Sequence, residues 1–238
     1  MKTHIMITGA SRGIGAAIAA CFDPATTRLC ALSSKDGDLN DPETPASLWT
    51  KALEQLDGRV DILINNAGIF EENPLGRDDD AWLESWNRTM QVNLTASADL
   101  CRRAVLHWQS SGTKASSKAS SKGRIVNIAS RAAYRGDSPA HWHYAASKGA
   151  MVAMTKTIAR AYAREGIYAF AICPGFTMTG MADDYLESRG GDKLLADIPL
   201  GKVADPEEVA ALAKFCALDA PPSMTGAVLD INGASYVR

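Results

Sequence analysis

Tyr144 and Lys148 stand four residues apart in a segment of helical period, so their side chains share one face and can act on one small volume. A phenol, with an ordinary pKa of about 10, is a poor base at neutral pH, but a nearby cation favours the phenolate and makes proton exchange feasible. Ser130 follows an apolar run of strand length, Arg124 to Ala129, and offers a hydroxyl that could hold a reacting oxygen against Tyr144 as charge develops on it. Serine hydrolysis fits poorly, because no G-x-S-x-G surrounds Ser130 and no histidine is well placed as its partner.

A second constellation opens the chain. Thr8-Gly9-Ala10-Ser11-Arg12-Gly13-Ile14-Gly15 directly follows an apolar strand and leads into the small-residue helix start Ala16 to Ala19. Gly9, Gly13 and Gly15 would permit a tight turn, close backbone approach to a pyrophosphate and close helix-to-strand packing, while the helix N-terminus supplies free N–H donors. Asn65-Asn66-Ala67-Gly68 ends another apolar run and puts small residues where a nucleotide could lie against the same sheet edge.

Elements must bring these groups together. Apolar runs of strand length near His4 to Thr8, Arg28 to Ser33, Val60 to Asn65, Arg124 to Ala129, Tyr168 to Cys173 and Ala227 to Ile231 alternate with helical patterns at Gly13 to Phe22, Pro45 to Leu56, Asp79 to Trp108, Tyr144 to Glu165 and Pro206 to Leu218. That alternation predicts an α/β fold, a doubly wound parallel sheet in one domain spanning 1–238. Composition agrees: 238 residues, 46% hydrophobic and 22% charged, are those of an ordinary globular protein. A balance of 25 basic against 27 acidic residues argues against nucleic acid or an anionic membrane as partner. The N-terminus has no secretory h-region, and no apolar stretch reaches the roughly 18 residues of a membrane span, so a cytoplasmic location is expected. The five cysteines form no C-x-x-C pair and read as buried thiols, with no metal site.

Taken together, the sequence resembles the single-domain short-chain dehydrogenase/reductase family, and is similar to its 3-oxoacyl-carrier-protein reductase-like members. The carrying motifs are T-G-x-x-x-G-x-G at Thr8 to Gly15, N-N-A-G at Asn65 to Gly68, the helix asparagine Asn93, Ser130, Y-x-x-x-K at Tyr144 to Lys148, P-G at Pro174-Gly175, and the tail Gly226 to Gly233. The resemblance implies hydride transfer between a nicotinamide and a carbonyl or secondary alcohol, with Tyr144 as general acid or base. Lys148 would also bond the nicotinamide ribose, Ser130 would orient the carbonyl, and Asn93 would hold a water in a proton relay. Cofactor contacts would come from Gly9, Ser11, Arg12, Gly13, Ile14, Gly15, Asn66, Ala67 and Gly68, and along the nicotinamide from Pro174, Gly175 and Thr177. The resemblance also implies a homodimer or homotetramer paired through the two long helices. A non-catalytic nucleotide-binding regulator of the same fold is the alternative.

The second strand ends Leu32-Ser33-Ser34-Lys35 rather than in a carboxylate. Hydroxyls and a cation would accept a ribose 2′-phosphate that a carboxylate would repel, so NADP(H) is favoured, with Arg12 assisting and NAD(H) possible through Asp36 or Asp38. Asp38-Leu39 looks like the family's adenine-contacting pair. Between Ser33 and Asp38 there is no room for the dozen or so residues of a parallel crossover. The helix preceding the third strand is therefore expected to be absent and the third strand absent or vestigial, leaving a six-stranded sheet with the second strand at its edge. The Ser/Lys-rich stretch 109–122 should be a surface loop and about 179–199 a substrate lid. Ile69, Phe70, Arg131, His141, Trp142, His143, Phe176 and Met178 are expected around a substrate with a polar or anionic part, with His141 foremost among the histidines.

Overall fold

The computed structural model describes residues 2–110, 121–178 and 195–238. Most of the expected Ser/Lys loop (111–120) and of the expected lid (179–194) lies outside the described residues. Six parallel strands form one sheet: β1 (Thr3–Ile7), β2 (Thr27–Ala31), β3 (Ile62–Asn65), β4 (Gly123–Ile128), β5 (Ile167–Pro174) and β6 (Val228–Ile231), in the order β2-β1-β3-β4-β5-β6. Residues 32–61 contain one helix, α2 (Thr44–Gln55), and no strand, so β2 is an edge strand. Among the described residues the other α-helices are α1 (Gly13–Ala20), α3 (Asp79–Met90), α4 (Ala96–Ser110), α5 (Ala132–Arg135), α6 (Trp142–Tyr162) and α7 (Pro206–Lys214).

Alternation along the strands builds two apolar layers. Ile5, Ile7, Ile62, Ile64, Phe170 and Ile172 pack on Ile18 of α1 and Val209 and Ala213 of α7. Met6, Leu63, Ile125 and Ala169 face the other way, onto Leu48 of α2, Leu100 and Trp108 of α4 and Ile158 of α6. Gly123 opens β4 because a Cβ there would stand 2.1 Å from the Trp108 ring, whose Nε1 donates to the Val60 carbonyl at 2.6 Å.

Where the structure departs from simple periodicity, local causes are visible. The pattern from Asp79 to Trp108 is one continuous helical run interrupted by a π-helical turn at Gln91–Thr95, and Asn93 sits inside that turn. Helix α6 begins two residues before Tyr144, and its tail Ala163–Glu165 tightens to a 3₁₀ turn that Gly166 stops in the left-handed region, φ 80°. Asp205 precedes Pro206 at the first turn of α7, with the Asp205 N–H donating to the Glu208 carboxylate at 2.8 Å. Because all strands run parallel, their C-terminal ends lie along one edge of the sheet. The chain leaves β1 outward to β2 and returns to β3 on β1's other side, which opens a crevice at that edge.

Candidate active site

The crevice is a cleft of about 1130 Å³. One end is built by two loops pressed together. Asn66 donates through Nδ2 to the Thr8 and Gly9 carbonyls at 3.2 and 3.0 Å, and Thr8 Oγ1 accepts from the Asn66 and Ala67 N–H groups, both at 3.2 Å. Gly9, at φ 68°, would place a Cβ 2.7 Å from Ala67 Cα, and a Cβ on Gly15 would stand 2.0 Å from the Gly9 carbonyl oxygen. Arg12 occupies the N-cap of α1 without a side-chain cap, and Ser11, Arg12, Gly13, Ile14 and Gly15 line the cleft at the start of that helix.

Past β2, Ser33, Asp38 and Leu39 line the same cleft. The carboxylate of Asp36 is turned to other partners: Ser33 donates to it through N–H at 2.8 Å and through its hydroxyl at 3.1 Å, and Lys51 pairs with it at 2.5 Å. The Lys51 ammonium, first, and the Ser33 amide hold the Asp36 carboxyl below the usual carboxylate range.

At the opposite end stand Ser130, Tyr144 and Lys148. Ser130 follows β4, and its Oγ accepts the Ala132 N–H at 3.1 Å at the start of the short α5. Burial pushes the Tyr144 hydroxyl up to about 12, against a hydrogen bond with Ser130 that pulls the other way. Lys148, 4% exposed, donates to the Ile128 carbonyl at 2.9 Å and lies 5.8 Å from the centre of the Tyr144 ring. Burial pulls its pKa down to about 8, so at neutral pH it is still a cation. Gly68 lies close to both groups: a Cβ there would stand 3.2 Å from Asn93 Oδ1, a tight contact, and 3.5 Å from Lys148 Nζ, an ordinary one.

Asn93, fully buried, does not line the cleft. Its amide braces the loop after β3: Oδ1 accepts the Ile69 N–H at 2.8 Å, while Nδ2 donates to the Ile69 carbonyl at 3.0 Å and to Ser147 Oγ at 3.3 Å. Both side-chain N–H donors are therefore engaged by protein. The local sequence gives no warning of this, because the π turn that aims Asn93 has no residue signature of its own.

Pro174, Gly175, Thr177, Arg131, Phe176 and Phe70 complete the walls. His141 does not. It is 2% exposed, stacks flat on Phe70 with centroids 4.0 Å apart, and its Nδ1 pairs with Ser138 Oγ at 2.6 Å, so it backs the wall rather than forming it. Phe70 in turn sets its edge against Tyr144 at 4.8 Å. His143 is buried against Trp86, and Trp142 faces solvent. Arg135 and Asp197, which no motif marks, also line the cleft. The spacing of Arg131 and Arg135, one helical turn, is the signal that could have found the first of them.

A nicotinamide dinucleotide fits this residue set. The glycine turn can press against the Asn66 loop only because Gly9 and Gly15 carry no Cβ, the N-cap of α1 makes no side-chain hydrogen bond, and a cation and two hydroxyls stand at the far end.

Comparison with known proteins agrees. A family model described as Enoyl-(Acyl carrier protein) reductase matches residues 30–234. A 3-oxoacyl-[acyl-carrier-protein] reductase of Vibrio cholerae is 32% identical, covering 98% of this chain and 96% of its own. An acetoacetyl-CoA reductase of Shinella zoogloeoides is 28% identical over 99% of both chains. Among solved structures, ElxO with NADP bound superposes with a TM-score of 0.83 at 25% identity, covering 99% of both chains.

Proposed function

The chain belongs to the short-chain dehydrogenase/reductase family, and from that premise we propose that it is an oxidoreductase that interconverts a carbonyl and a secondary alcohol, preferring NADP(H) to NAD(H). The observation that carries the reading is the meeting of Ser130, Tyr144 and Lys148 at one end of a cleft whose other end is the glycine turn.

When bound, the nicotinamide supplies or accepts the hydride. Tyr144 gives its proton to the carbonyl oxygen as negative charge develops there, and takes it back in the reverse direction. Ser130 holds that oxygen by its hydroxyl, and the Lys148 ammonium stabilises the phenolate that Tyr144 leaves behind. Asn93 keeps the loop from Gly68 to Ile69 in place behind Lys148. Gly9, Ser11, Arg12, Gly13, Ile14, Gly15, Asn66, Ala67 and Gly68 would hold the nucleotide, Asp38 and Leu39 would contact its adenine end, and Pro174, Gly175 and Thr177 its nicotinamide end. Preference for NADP(H) is supported by the engagement of Asp36 with Lys51 and Ser33, while Arg12 and Ser33 face the cleft. A cytoplasmic homo-oligomer of one domain fits the buried thiols of Cys30, Cys101, Cys173 and Cys216 and the exposed Leu83 and Leu106 on the long helical run. Among the described residues no helix is long and apolar enough to cross a membrane.

The test is a panel of ketones, oxo esters and aldehydes followed by absorbance of the reduced cofactor. Turnover with a lower KM for NADPH than for NADH is expected. Tight nucleotide binding without turnover on any member would favour the regulatory alternative, and a clear preference for NADH would refute the cofactor assignment. A pH profile adds a second check. Lys148 carries its charge below about 8 and loses it above. Tyr144 stays protonated throughout, so kcat/KM for reduction should be flat below that pH and fall above it. A profile that stays flat through pH 9.5 or so would contradict the role given to Lys148.

A further inference from the structure

Arg131 is a buried cation, 8% exposed, placed in the chain directly after Ser130 and lining the same cleft. A guanidinium keeps its proton in a protein, so a buried one calls for hydrogen-bonded anionic partners. Here the pairing is lopsided. Arg135, the more exposed of the two, grips Asp197 through both guanidinium ends, Nη1 to Oδ2 and Nη2 to Oδ1, the second at 3.0 Å. Arg131 Nη1 stands 3.5 Å from the same Oδ2 and, among the described residues, makes no hydrogen bond. Two guanidinium groups thus share one carboxylate, with Asp137 at the exposed rim as the further acidic neighbour.

The Arg131 head is also held in place. Its guanidinium carbon lies 4.6 Å over the Phe176 ring, and its backbone N–H donates to the Pro174 carbonyl at 2.9 Å. A flat, stacked, buried guanidinium with an unengaged N–H is suited to receive a planar carboxylate.

We infer that Arg131 is the specificity residue that receives a carboxylate of the substrate itself, making the preferred substrates short oxo acids or hydroxy acids whose acid group lies a few bonds from the reacting carbon. The inference rests on the oxidoreductase reading above and narrows it. A thioester of a bulky carrier has no free acid near its carbonyl and leaves the Arg131 N–H without that partner.

The test compares acids with their neutral esters: acetoacetate and 4-oxopentanoate against their methyl esters, with the full-length protein and NADPH. The wild-type protein should favour at least one acid over its ester by about tenfold or more in kcat/KM. Arg131→Met, which keeps an unbranched apolar stem and removes the charge, should bring that acid-to-ester ratio down to about one, and Arg131→Lys should give an intermediate ratio. Equal use of acid and ester by the wild-type protein would overturn the inference without needing any variant, as would a ratio unchanged in Arg131→Met. Calorimetric titration of the same acids and esters into protein loaded with NADP+ reads the preference without turnover. Selective acid binding with no turnover supports the assignment of Arg131 and counts against the oxidoreductase reading alone. Equal binding of acid and ester counts against Arg131 alone.

Discussion

Tyr144→Phe should lower kcat for carbonyl reduction by about 10³-fold, the middle of the range for loss of a positioned general acid. The substitution removes one oxygen and keeps the ring, so the edge contact with Phe70 at 4.8 Å and the position of the Lys148 ammonium over the ring can persist. What is lost is the hydroxyl, beside Ser130, that carries the proton. Steady-state turnover with saturating cofactor measures it, with thermal unfolding as the check that the fold is intact. A variant that keeps more than about a tenth of wild-type kcat would mean that the proton comes from elsewhere, since one positioned acid contributes at least about 10².

The second large effect concerns the other end of the cleft. Gly15→Ala would set a methyl group 2.0 Å from the Gly9 carbonyl oxygen and 2.4 Å from Asn66 Nδ2. No real Cβ tolerates such contacts, and the first neighbour is backbone. The turn must move away from the Asn66 loop, breaking the bonds that Asn66 makes to the Thr8 and Gly9 carbonyls. Those bonds shape the seat offered to a pyrophosphate. The dissociation constant for NADPH, read by fluorescence titration, is expected to rise by about 100-fold or more, the equivalent of about 2.7 kcal/mol. A change of less than about threefold, well under 1 kcal/mol, would show that the glycine turn does not hold the nucleotide.

Much of this site is legible in the sequence, for a physical reason. Ser130, the Asn66 loop and the glycine turn each follow a strand directly, and a parallel sheet collects the C-terminal ends of its strands on one edge. Residues tied to strand ends are therefore placed by topology before any side-chain packing is known. Tyr144 and Lys148 are placed by helical spacing in the same way. The short interval after Ser33 is equally readable, because chain length alone bars a crossover there, and β2 lies at an edge.

Other features depend on packing and leave no such trace. Gln91–Thr95 has the composition of an ordinary helix, yet its π turn buries Asn93 against the Ile69 backbone. His141 reads as a substrate contact from its position three residues before Tyr144, but its ring lies flat on Phe70 and forms the layer behind the wall. The pairing of Arg135 with Asp197 joins groups 62 residues apart, a distance in sequence that no local pattern spans.

The most direct measurement is hydride tracing. Reduction of an accepted carbonyl substrate is run with NADPH carrying deuterium at nicotinamide C4, each of the two faces being labelled in turn. The account predicts that one of the two labelled forms delivers its deuterium to the carbinol carbon of the product, with turnover dependent on Tyr144. Product that carries no label from either form, while the cofactor is consumed, would contradict it.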